Sequence, residues 1–453
     1  MNNLIFLVAG TPAEHSLGTE YIDNKRDFST KSYNYAIASL KANRYIVGDN
    51  NYNIDLVDIP VSRRMNSLPK KIISEITEKN PYAVGFSTYC WDLHIFLKTA
   101  YIIKEYNSEI KIIMGGPSVS FYPEEILNKY PQVDIIIPGE GEYVFSDLLY
   151  HKFKNLDEVA GVVYRRKDNI CSNKNVKQID LNRIYSPYLS DNFRPKSDTL
   201  MIEPSRGCIY RCKFCSWSKN KKLMFKSNKI LTDELIWAYK NGYRFINLSD
   251  TSINMTEEQL STIIRAIKDS SVSDKLSFSV FMKYDKINEA QLKIIEDIRF
   301  DEIIFGLESI NSEALLASGK PPFNKEKFET AIKKLGERGN KITLSIMIGL
   351  PYDTFNSIQK TIRYTEYLLE RYNRYINFVC SFWLAVLPGT RFEREKNIHK
   401  FKFLQRGTPY LIESKYMTPK DLLKTAELIY KETQTNTKFF CEEYFLEVLG
   451  QRI

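Results

Sequence analysis

The sequence predicts an α/β protein in three parts: an N-terminal doubly wound (Rossmann-like) sheet, a partial (β/α)6 barrel of TIM type, and a helical C-terminal segment. Three observations carry this reading. Short apolar runs alternate with amphipathic segments through the first 150 residues, the alternation resumes for six units from Leu200, and glycine-bearing turns follow several of the runs.

In the first part, strands are predicted at Leu4–Val8, Ile54–Asp58, Ala83–Ser87, Lys111–Met114 and Asp134–Ile137. Helices are predicted between and after them at Tyr33–Asn43, Pro69–Lys79, Leu93–Tyr106, Pro123–Lys129 and Glu142–Tyr150. Sheets of this kind bind ligands beyond the carboxyl ends of their strands. Those ends carry Gly10-Thr11, Ser87-Thr88, Gly115-Gly116-Pro117 and Gly139-Glu140-Gly141-Glu142. A β-type piece, Gly161–Tyr164, opens a polar stretch that reads as a connection. Barrel strands are predicted at Leu200–Glu203, Phe245–Ser249, Leu276–Phe281, Glu302–Gly306, Ile342–Ile348 and Phe378–Leu384, and later helices at Pro419–Lys431 and Phe439–Leu449. The resulting domains are 1–155, a connecting segment 156–198, a barrel 199–390 and a C-terminal segment 391–453.

Composition sets outer limits. Of 453 residues, 43% are hydrophobic and 26% charged, which fits a folded soluble chain. No apolar run approaches the roughly 18 residues of a membrane span, so a cytoplasmic location is expected. The net charge of +9 is spread along the chain, and no nucleic-acid partner is expected. Its one local concentration, Lys219, Lys221, Lys222, Lys226 and Lys229, reads as a solvated loop and helix face. Seven cysteines are too few, and odd in number, for a secreted disulfide framework. Cys90, Cys171, Cys380 and Cys441 stand apart and read as packed hydrophobes.

The other three form a constellation. Cys208, Cys212 and Cys215 lie at Cys-x3-Cys-x2-Cys spacing after the first barrel strand. Thiolates suit iron and zinc, but no His or Cys follows closely enough to close a tetrahedral zinc site. Three thiolates on a four-iron cluster leave one iron open to substrate.

With Phe214 just before the third cysteine, this segment resembles the cluster motif of the radical S-adenosylmethionine superfamily. The resemblance implies a [4Fe-4S] cluster on Cys208, Cys212 and Cys215, reductive cleavage of S-adenosylmethionine to a 5′-deoxyadenosyl radical, and an electron donor such as flavodoxin or ferredoxin. It further implies that Phe214 faces the adenine, that Glu308 accepts hydrogen bonds from the ribose, and that Asp250, Gly349 and Pro388 line the adenosyl pocket. The Gly-Gly-Glu segment with which many members hold the methionyl amine is not evident where Ser249-Asp250 stands.

The first 150 residues resemble the cobalamin-binding domain of the cobalamin-dependent radical enzymes, on Gly115-Gly116-Pro117 and Gly139-Glu140-Gly141-Glu142. Thr11, Ser87 and Thr88 occupy other strand ends that would meet the cobalamin. Of the Asp-x-His-x-x-Gly motif only His15 and Gly18 remain, with Ala13 in the Asp position, so His15 reads as a loop histidine in preference to a cobalt ligand. The dinucleotide fingerprint G-x-G-x-x-G is absent after the first strand. Methylthiotransferases fit less well, because their second cysteine triplet is missing.

The expected function is C-methylation of an unactivated carbon in a natural-product, peptide or lipid precursor. The alternative is a non-methylating rearrangement, ring contraction or cyclisation, and a distant third is a zinc-dependent nucleic-acid-binding protein. The substrate is expected to be a small molecule or a peptide.

Overall fold

A computed structural model describes residues 2–12, 33–62, 65–173, 179–219 and 222–441 of the chain. The described residues form two compact units, one running up to Lys196 and including Gln405–Thr408, the other made of Ser197–Leu404 and the segment from Pro409.

The first unit is built on a sheet of β1 (Asn2–Pro12), β2 (Asn53–Val61), β3 (Pro81–Ser87), β4 (Lys111–Gly115), β5 (Ile135–Ile137), β6 (Val163–Arg166) and β7 (Asn169–Ser172), in the order β2-β1-β3-β4-β5-β6-β7. From β2 to β5 all pairings are parallel. Strands buried on both faces need apolar side chains at every position, and the period of two sorts them between two cores. Phe6, Val8, Val84, Phe86, Ile112, Met114 and Ile136 point to one side, where Ile95, Phe96 and Ile103 of the helix Leu93–Tyr106 meet them. Ile5, Leu7, Ala9, Ala83, Ile113, Ile135 and Ile137 point to the other, against Phe145, Leu148 and Leu149 of the helix Glu142–Tyr150. The order reverses between β1 and β3, which opens a crevice at their carboxyl ends.

The β-type piece read from Gly161 belongs to an antiparallel hairpin. β6 pairs with β5 and with β7, so the sheet is mixed at this edge. The turn between the two strands uses Lys167 at φ +52°.

In the second unit an all-parallel open sheet runs β18-β15-β14-β13-β12-β11-β8. Its members are β8 (Thr199–Ile202), β11 (Phe245–Leu248), β12 (Ser277–Met282), β13 (Glu302–Glu308), β14 (Ile342–Ile348), β15 (Ile376–Trp383) and β18 (Phe439–Cys441). Two short antiparallel ribbons stand outside it: β9 (Ser205–Arg206) with β10 (Met224–Phe225), and β16 (Lys402–Phe403) with β17 (Leu411–Glu413). The six predicted barrel strands are all present.

The seventh strand corrects the sequence reading. Phe439–Cys441 is not the start of a helix; it pairs parallel to β15, where aromatic residues suit a half-buried edge. Residues 442–449 of that predicted helix lie outside the described residues. The helix before it runs Pro419–Thr435. No described helix is long and apolar enough to cross a membrane.

Candidate active site

The cysteine loop is pinned at its base. Ser205 pairs with Phe225 and Arg206 with Met224, closing the intervening residues into a loop. Below the ribbon, Asp250 at the end of β11 is buried and accepts hydrogen bonds from Ser205 Oγ and from Gln259 Nε2 at 3.0 Å. Its neighbour Thr251 donates through Oγ1 to the carbonyl of Gly207, at 3.1 Å. Lys226, directly after β10, is buried and ion-paired with Glu234 at 2.8 Å, so it is not part of a solvated face. Lys222 and Lys229 are exposed. Lys221 and the side chain of Lys219 lie outside the described residues.

The loop is also held from above. The Lys213 amide donates to the Ser318 carbonyl at 2.9 Å, the Phe392 amide donates to the Lys213 carbonyl at 3.0 Å, and Lys213 Nζ pairs with Glu395 at 2.9 Å. Cys208 is buried, and Cys212 and Cys215 are half-buried. Burial pushes the Cys212 thiol upward, against the pull of the Lys320 and Lys283 ammonium groups, which favour the thiolate. Among the described residues no three acidic, His or Cys side chains converge on a metal position. The donor set, three soft thiols on one tethered loop, nevertheless fits an iron–sulfur cluster.

Glu308 sits where β13 carries a bulge, at φ +59° and only 8% exposed. Such a conformation is strained for a side chain of this size. Lys320 holds it there, donating to Glu308 Oε1 at 2.6 Å and to the Gly306 carbonyl at 3.3 Å. The same ammonium lies 5.8 Å from the centroid of the Phe214 ring. Cys212, Lys320, Gly306, Tyr210 and Lys283 line one small cavity. Lys320 therefore brings Cys212, Phe214 and Glu308 together. Asp250, Gly349 and Pro388 do not line this cavity. Gly349, at φ +95°, leaves no room for a side chain, since a Cβ would come within 2.8 Å of Leu411 Cδ2. Pro388 precedes the turn at Gly389.

At the strand ends of the first unit, Thr11 Oγ1 donates to Asp58 at 2.7 Å. Ser87 and Thr88 are buried, and Thr88 Oγ1 donates to the Gly115 carbonyl at 2.7 Å. Gly116, at φ +97°, lies so close to this segment that a Cβ would be 2.5 Å from the Thr88 carbonyl oxygen. Pro117 is exposed and Glu140 half-buried. Gly139, at φ +82°, faces open space, with nothing within 4 Å of a Cβ. Gly141 abuts Leu40, and Glu142 turns inward, accepting from Ser39 Oγ at 3.0 Å. His15 lies outside the described residues.

Three residues of these surroundings have no motif to announce them. Lys320 and Lys283 act through contacts distant in sequence, although Lys283 follows β12 directly, a position where chemistry collects in such sheets. Asp92 is fully buried after β3. Its Oδ1 accepts from the Tyr89 amide at 2.6 Å while Oδ2 has no partner among the described residues, and burial raises its pKa well above the ordinary aspartate value.

Two family models match the chain, a B12 binding domain over residues 27–149 and the radical SAM superfamily over residues 202–365. The chain belongs to the cobalamin-binding radical S-adenosylmethionine enzymes. It is 25% identical over 332 residues to an uncharacterised methyltransferase, PH0819, of Pyrococcus horikoshii, covering 70% of each chain. It is 22% identical over 369 residues to the cobalamin-dependent radical SAM methyltransferase TokK of Streptomyces tokunonensis, covering 77% of this chain but only 53% of TokK. An anaerobic magnesium-protoporphyrin IX monomethyl ester cyclase of Synechocystis is 22% identical over 244 residues, covering 49% of this chain and 46% of the cyclase. In fold, the radical S-adenosylmethionine methyltransferase TsrM of Kitasatospora setae superposes with a TM-score of 0.66 at 15% identity, over 90% of this chain and 78% of TsrM.

The first unit fits the cobalamin of this family in two respects. The open backbone at Gly139 admits a bulky ligand. The unpartnered Asp92 Oδ2 lies beside Gly10, 2.9 Å from where a Cβ would stand, at the crevice between β1 and β3.

Proposed function

We propose that this radical enzyme is a cobalamin-dependent C-methylase acting on an unactivated carbon of a natural-product, peptide or lipid precursor. The observation that carries the reading is the presence of both matched regions in one chain, together with relatives named as methyltransferases over about 70% or more of its length. In this reading Cys208, Cys212 and Cys215 hold a [4Fe-4S] cluster, which supplies the electron that cleaves S-adenosylmethionine. Phe214 stacks against the adenine. Glu308, fixed by Lys320, accepts from the ribose hydroxyls, a fitting role for a carboxylate facing a diol. Asp250 acts as a positioning residue, holding Ser205 and so the base of the cysteine loop. Gly349 and Pro388 shape the rim. Cobalamin, the methyl carrier, is held by the strand-end segments at Thr11, Ser87–Thr88, Gly115–Pro117 and Gly139–Glu142. An electron donor such as flavodoxin or ferredoxin reduces the cluster, and the substrate is a small molecule or a peptide.

The cyclase relatives favour a second reading, a radical rearrangement or cyclisation without methyl transfer. Anaerobic reconstitution with iron, sulfide and cobalamin, followed by incubation with deuterated-methyl S-adenosylmethionine and candidate substrates, separates the two. Methylation yields 5′-deoxyadenosine, S-adenosylhomocysteine and a product heavier by the labelled methyl. Deoxyadenosine alone, with no labelled product, overturns the methylase in favour of the rearrangement.

A further inference from the structure

We infer that Glu395 is a positioning residue for the cysteine loop, and that its ion pair with Lys213 balances a positive charge set between the second and third cysteines, holding the cluster at a lower reduction potential than the bare ammonium would give; this rests on the loop being the cluster site proposed above. Lys213 follows Cys212 directly. The segment 391–399 grips it at two points. The Phe392 amide donates to its carbonyl at 3.0 Å, and Glu395 Oε2 accepts from its ammonium at 2.9 Å. Both side chains of the pair are only 18% exposed. Glu395 also pairs with Arg391 at 2.8 Å, but that side chain is 59% exposed and its charge is weakened by water and salt.

A set of rings fixes the carboxylate. His399 is buried, its ring 5.7 Å from that of Phe392 and 5.1 Å from that of Phe401, and its Nδ1 stands 3.3 Å from the Tyr416 hydroxyl. Its Nε2 lies 3.5 Å from Glu395 Oε2 without hydrogen-bond geometry, and burial lowers the pKa of the imidazole, which favours the neutral ring. The Glu395 charge is therefore left for its two cations. Burial alone would raise its pKa, but Lys213 and Arg391 hold it below the ordinary glutamate value. Charges this far out of water act on their neighbours with little screening. Reduction adds one electron to a cluster, so an unbalanced ammonium beside Cys212 favours the reduced state and raises the potential, while an unbalanced carboxylate lowers it. The pair thus joins two charges of opposite effect in one contact, and substitution can separate them.

The test is an anaerobic redox titration of the reconstituted enzyme, followed by electron paramagnetic resonance of the reduced cluster. In Glu395→Gln, which keeps the shape and leaves Lys213 unbalanced, the midpoint potential is expected to rise. In Lys213→Met it is expected to fall, because the carboxylate is now the unbalanced charge. The double variant Lys213→Met/Glu395→Gln returns close to the natural value, and Lys213→Arg, which keeps the pair, stays near it. Iron and sulfide content equal to the natural enzyme shows that each variant holds an intact cluster. If Lys213→Met fails to load one, Glu395→Gln and Lys213→Arg carry the comparison, the first with a raised potential and the second with an unchanged one. Shifts of the same sign in the two single variants overturn the inference, since a merely loosened loop would move both alike, and so do unchanged potentials in both. A natural enzyme that takes up no iron and sulfide overturns the underlying reading instead.

Discussion

Glu308 and Asp353 show two ways in which a carboxylate is kept inside this molecule. Glu308 has a cation at 2.6 Å, and its unusual backbone angle is held by that pair and by the bulge beneath it. Asp353 has no cation beside it among the described residues. Its Oδ1 accepts from Ser357 Oγ at 2.8 Å and Asn311 Nδ2 at 3.2 Å, while Oδ2 is buried without a partner. Burial therefore pushes its pKa up to about 6. A carboxyl raised in the folded state contributes stability that is fully present below its unfolded pKa, near 4, and lost as pH rises through about 6. Asp353→Asn removes the ionisation but keeps the shape. Relative to the natural protein the variant should gain on the order of 2 to 3 kcal/mol between pH 4 and pH 8. Denaturant unfolding of both proteins across that range measures the gap, and a gap independent of pH would show that Asp353 ionises without penalty.

Two glycines at strand ends make a contrast at the level of elements. Gly116 and Gly139 both have positive φ, but a side chain at 116 runs into the Thr88 backbone whereas one at 139 meets nothing. Gly139→Ala should lower stability by about 1 kcal/mol, from backbone conformation alone. Gly116→Ala should cost several times more, because the β3 and β4 ends must move apart. Thermal midpoints of the two variants check the ranking, and equal shifts would mean that the Thr88 contact yields easily. The elements themselves were largely legible in the sequence. Leu93–Tyr106, Pro123–Lys129 and Glu142–Tyr150 match the predicted helices to the residue, since each has a clear apolar stripe or a proline at its start. β7 and β18 were hidden for a physical reason. Asn169–Ser172 and Phe439–Cys441 are too short for a period to show, and each exists because a neighbouring edge accepts it. The same holds for the site. The cysteine spacing is local and readable, whereas the pairing of Lys320 with Glu308 and the approach of Lys283 to Tyr210 depend on chain folding between distant segments.

On the scale of the whole molecule, stability is unevenly distributed. Strands β1, β3 and β4 are flanked by strands on both edges and covered by apolar side chains on both faces. The ribbon of β9 and β10 is two residue pairs long and stands outside both large sheets. Short ribbons open cheaply, so the molecule has a built-in order of opening. In hydrogen–deuterium exchange, amides of β1, β3 and β4 should be the slowest of the first unit, and those of Arg206, Met224 and Phe225 should exchange early in the metal-free protein. Loading iron and sulfide should slow the latter selectively, and no change at the ribbon would show that the loop is already rigid. The two-pair ribbon thus points to a sequence of events for maturation: the large sheets form without iron, and the short ribbon that closes the cysteine loop becomes still when iron is loaded.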